Sequence, residues 1–148
     1  MSNMIFSILL AFGAGVSIVI QQALNSNLRT ELNSAAWSGF VSYSAGLACM
    51  ALLVIALRDP LPPVGVMARI PWWAWTGGVF GAIFIGLGIV LVPKLGAATF
   101  IALLVAGQMI GSVVFDHFGW LGLAQRPVDL SRVIGVLLLI AGVVLIRR

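Results

Sequence analysis

Gln108 is the side chain in this sequence best placed to do chemistry. It lies in LGAATFIALLVAGQMIGSVVFDHFG, residues 95–119, between Gly107 and Gly111. The stretch is uncharged from Leu95 to Phe115, 21 residues. At a helical rise of 1.5 Å per residue that is roughly 31 Å, the thickness of a bilayer's hydrocarbon core. An amide at that depth needs a partner, because lipid offers none. Ser112 follows four residues later, about 40° around the helix. At the end stand Asp116 and His117, the chain's one histidine. Histidine changes charge near neutral pH, so these two form a titratable pair open to proton coupling. Gln21 and Asn25, one turn apart, close an earlier uncharged run, and Ser38 and Ser42 repeat that spacing in the next. Gln21, Asn25, Ser38, Ser42, Gln108 and Ser112 are therefore the candidate substrate-lining residues. The plainer alternative stays open: a packing seam with a buried hydrogen bond, closed by capping and headgroup contacts.

Composition narrows the class. Of 148 residues, 61% are hydrophobic and 8% charged, against about 25% charged in soluble domains. Mean hydropathy is +1.16. This is a membrane protein, one membrane domain over residues 1–148, with no stretch polar enough for a soluble domain. The net charge of +4 comes from eight basic and four acidic residues. They lie outside the long apolar runs, so they report topology and lipid headgroups rather than nucleic acid. Cys49 is the one cysteine, which excludes an intrachain disulfide. One histidine and one cysteine in separate segments give no triad, metal site or cofactor loop, so no enzyme, metal or cofactor is expected.

Five helices must position these side chains, at approximately 4–24, 35–57, 72–92, 95–117 and 130–147. The first lacks a basic leader and reads as an uncleaved span. Its Ala14, Ser17, Gln21 and Asn25 share a face. Residues 26–34 read as a polar connection, and Pro60, Pro62, Pro63 and Pro71 exclude a continuous helix between Arg58 and Pro71. Trp72, Trp73 and Trp75 form an aromatic belt at the start of the third run. That run holds Gly77 and Gly81; like Gly107 and Gly111, they stand four apart, as helix-packing glycines do. Residues 93–96 form a short break. The last uncharged run, Val133 to Ile146, has 14 residues. It reaches a span only if the helix starts near Leu130 and its arginines snorkel.

Several motifs together resemble a known family. They are Gly15, Gln21, Asn25 and Leu28 in the first helix; PWWAW and the glycines from Pro71 to Gly81; LGAAT at Leu95–Thr99; AGQ at Ala106–Gln108; and DHFG at Asp116–Gly119. In this order and spacing they resemble the YdcZ-like proteins, a bacterial inner-membrane family in the drug/metabolite transporter superfamily. The resemblance covers nearly the whole chain. It implies a multi-pass inner-membrane protein, half the size of ten-helix transporters built from two five-helix repeats of opposite orientation. It supplies no substrate.

The expected function is transport of a small metabolite or related organic solute by alternating access. The expected assembly is an antiparallel dimer of five-helix subunits, with itself or with a paralogous subunit, in contact with membrane lipid. Five spans place Arg58, Arg69, Arg126 and Arg132 on one side, and Arg29, Lys94, Arg147 and Arg148 on the other. The difference is 4 − 4 = 0, so basic residues give no clear orientation and insertion in both directions is open. A structural or accessory membrane protein and a small drug exporter are the alternatives. No carboxylate lies inside the apolar runs, which disfavours the drug-cation antiporter.

Overall fold

The computed structural model describes residues 2–147 and is all-helical, with no strand among the described residues. Its helices are α1 (Ser2–Leu32), α2 (Ala35–Leu57), the short α3 (Val64–Met67), α4 (Gly77–Leu95), α5 (Ala97–Phe118) and α6 (Leu130–Ile146). A 3-10 turn, Trp72–Thr76, leads into α4. By length and composition, four stretches can cross a membrane: Met4–Leu32, Ala35–Leu57, Trp72–Leu95 and Ala97–Phe118. α6 is apolar but has only 17 residues, about 26 Å of helix. The chain divides between Lys94 and Leu95 into two compact units.

In the first unit, α1 runs past the expected end at Leu24. Residues 26–32 contain no Gly or Pro, and Thr30 Oγ1 donates back to the Ser26 carbonyl at 3.2 Å, so nothing stops the helix. It ends where Asn33 takes a left-handed φ of 49°. There the Ser34 N–H donates to the Arg29 carbonyl at 3.2 Å, a Schellman-type closure suited to Asn. Ser34 then caps α2, its Oγ accepting from the Trp37 N–H at 3.2 Å. The expected connection over residues 26–34 is thus only Asn33 and Ser34. α2 ends in the same way at Arg58, φ 54°, with the Asp59 N–H donating to the Val54 carbonyl; Pro60, Pro62 and Pro63 prevent its continuation.

The expected break at residues 93–96 also narrows. α4 continues through Pro93 to Leu95, because a proline in the last turn removes one hydrogen bond without unwinding that turn. Gly96 alone turns the chain, at φ 80° and ψ 150°, a conformation essentially reserved for glycine. In the second unit α5 and α6 pack on each other. Gly119 closes α5 at φ 63°. Asp129 caps α6, its Oδ1 accepting from the Arg132 N–H at 2.8 Å. Most apolar side chains on these helices are exposed, as expected where lipid or another subunit is the neighbour.

Candidate functional site

Among the described residues, the buried polar side chains lie in the first unit. Three helices bring them together: α1 along Ile18, Gln22, Asn25 and Arg29; α2 at Ser38; and α4 along Gly81, Ile85, Gly88 and Val92. In α1 and α4 the inward residues follow steps of four, three and four, one helical face. Gln22 is 1% exposed, Asn25 5% and Ser38 0%. Ser38 Oγ donates to the Asn25 backbone carbonyl at 2.7 Å and locks α2 onto α1. Gln22 Nε2 and Oε1 and Asn25 Nδ2 are buried without a hydrogen-bond partner. Leaving such a group unpartnered costs about 1–3 kcal/mol. Gly88 makes the arrangement sterically feasible, because a Cβ there would collide with the Gln22 amide.

Arg29 completes the cluster. Its Nη1 donates to the Ile89 carbonyl at 2.9 Å. That carbonyl would normally accept from the N–H four residues later, but position 93 is proline. The guanidinium supplies the donor that α4 lacks. Between α2 and α4 lies an open cleft of about 320 Å³, lined in part by Gly39, Tyr43, Ile85 and Gly86.

Of the first-unit residues singled out in the sequence, Asn25 and Ser38 fall inside the cluster. Gln21 is half-buried beside the seam, and Ser42 is half-buried one turn beyond Ser38. Gln22 and Arg29 were missed. The spacing of Gln22, Asn25 and Arg29 was the available signal, but Gln21 offered the same residue type one position away. Gly81 packs against the Tyr43 hydroxyl, whereas a Cβ at Gly77, Gly107 or Gly111 would meet no atom within 4 Å.

The second unit holds the other candidates. A groove of about 510 Å³ runs between α5 and α6, with Val105, Met109, Val136 and Leu139 as apolar walls and Ser112, Asp116, Asp129 and Arg132 as polar lining. Gln108 is exposed and does not line it. Asp116 Oδ2 and Arg132 Nη1 form an ion pair at 3.4 Å, about a third exposed on each side; pairs so exposed contribute about 0–1 kcal/mol. The larger role of residues 116 and 117 is to hold the α5–α6 loop. The Asp116 carbonyl accepts from the Arg126 N–H at 2.7 Å, and the His117 carbonyl accepts from Gln125 Nε2 at 3.1 Å. His117 Nδ1 accepts from the Val128 N–H at 3.2 Å, which assigns the ring proton to Nε2. Among the described residues no group of His, Cys, Asp and Glu has metal-binding geometry.

Apolar helices of spanning length, with amides and a hydroxyl sealed between them, define an integral membrane protein. A family model described as "Putative inner membrane exporter, YdcZ" matches residues 6–145, and the chain belongs to that family. It is 28% identical over 145 residues to the inner membrane protein YdcZ of Escherichia coli (strain K12), covering 96% of each chain. No solved structure matches.

Proposed function

We propose that this protein moves a small organic solute across the bacterial inner membrane by alternating access, in the outward direction that the family description names. In this reading Gln22, Asn25 and Ser38 form the heart of the solute site. Gln21 and Ser42 extend it, and Gln108 and Ser112 are candidate lining residues within the second unit. Five spans per chain and an antiparallel pairing of two chains complete the transporter. The even split of basic residues and the largely exposed apolar helix faces support that pairing.

One observation carries the reading. Gln22 is sealed between helices with both amide atoms unpartnered. A leucine of similar volume would avoid that desolvation penalty, so a purely structural position gains nothing from glutamine. A solute site does, because solute can supply the missing partners. Gln22→Leu is therefore expected to raise thermal stability in detergent, by about 1 kcal/mol or more, while abolishing solute flux in reconstituted vesicles. Unchanged flux would overturn the assignment and favour a structural or accessory membrane protein.

A further inference from the structure

We infer that the Gln22–Asn25–Arg29 cluster binds a small organic anion carrying one hydrogen-bond donor; this rests on the transport reading and names its substrate class. The unpartnered groups are unequal. Gln22 Nε2 and Asn25 Nδ2 offer N–H donors, and among the described residues Gln22 Oε1 is the one fully buried side-chain acceptor without a partner. The matching solute is rich in acceptors and has a single donor.

Charge points the same way. Arg29 is half-buried, and Nη1 is held by the neutral Ile89 carbonyl. Among the described residues the ion pair present is Arg132 with Asp116, both outside this unit. The unit's acids do not face Arg29. Glu31 is exposed two residues along α1, about 200° around the helix, and Asp59 follows the far end of α2 from Ser38. The cluster thus holds one positive charge and no negative one. In a low-dielectric interior that attracts an anion and repels a cation. Gln22 touches Gly88 and Arg29 touches Ile89, adjacent residues of α4, so one small solute can reach both. The α2–α4 cleft lies against the same stretch of α4: Gly39 lines it, and a Cβ there would stand 3.6 Å from Ile89 Cδ1.

The test is calorimetry and thermal shift on the purified full chain in detergent, with lactate, propionate and tetramethylammonium as probes and equimolar chloride as baseline. Lactate offers a carboxylate and one hydroxyl donor; propionate lacks the hydroxyl. Lactate is expected to bind, propionate roughly tenfold more weakly or worse because it leaves Gln22 Oε1 unpaired, and tetramethylammonium not at all. Q22L should erase the lactate–propionate difference, and R29Q should remove both anions. Should R29Q fail to fold, Q22L alone decides. Lactate stabilisation no greater than that of chloride, binding of tetramethylammonium, or lactate discrimination unchanged in Q22L each overturns the anion assignment. If Q22L still stops flux in that event, the transport site survives with a different solute. Normal flux through Q22L overturns the site itself.

Discussion

Gln22 and Gly88 work as one unit, and neither is informative alone. Alanine in place of a helical glycine ordinarily gains up to about 1 kcal/mol. Gly86→Ala should follow that rule, since its Cβ meets no atom within 4 Å. Gly88→Ala should reverse it, because its Cβ lands on the buried Gln22 amide; a net loss of about 1 kcal/mol is expected, as for other overpacked sites. In a Gln22→Ala background the same substitution should become neutral or stabilising, and thermal unfolding of the four proteins measures the coupling. Asn25 and Ser38 were legible in the sequence because polar residues stand out at helical spacing in apolar runs. Gln22 was not. Gln21 and Gln22 are identical in type and about 100° apart, and what turns one inward is a glycine on α4, more than sixty residues away.

The extents of α2 and α5 were readable to within two residues, because Ser34, Arg58, Gly96 and Gly119 mark their ends. The C-terminal ends of α1 and α4 were not. Polar residues 26–32 resemble a loop in composition yet carry no helix breaker, and Pro93 is tolerated because Arg29 answers the Ile89 carbonyl. That compensation is measurable. Arg29→Gln should cost about 1–3 kcal/mol by leaving a buried carbonyl unpaired. Pro93→Ala restores the helix's own donor, so in that background Arg29→Gln should cost well under half as much. A coupling energy near zero in denaturant or thermal unfolding would mean that the arginine is not compensating for the proline.

Membrane location and helical class were evident from composition, whereas the proposed antiparallel pairing rests on the even split of the basic residues. Two-way insertion, as proposed, makes a direct prediction. In a Cys49→Ala background, single cysteines placed in the α2–α4 loop and at the C-terminal end should both label partially with an impermeant thiol reagent on whole cells. Complete labelling of one and none of the other would leave a subunit of fixed orientation. The Arg29 contact adds a consequence in time. Orientation is set by basic residues flanking the spans, and α1 and α2 leave the ribosome before residues 77–95 exist. Until then Arg29 has no Ile89 carbonyl to donate to. Once α4 is made, Arg29 keeps its charge but gains the Ile89 carbonyl as a partner. The contact that answers Pro93 is therefore made late, after α1 and α2 have been synthesised without it.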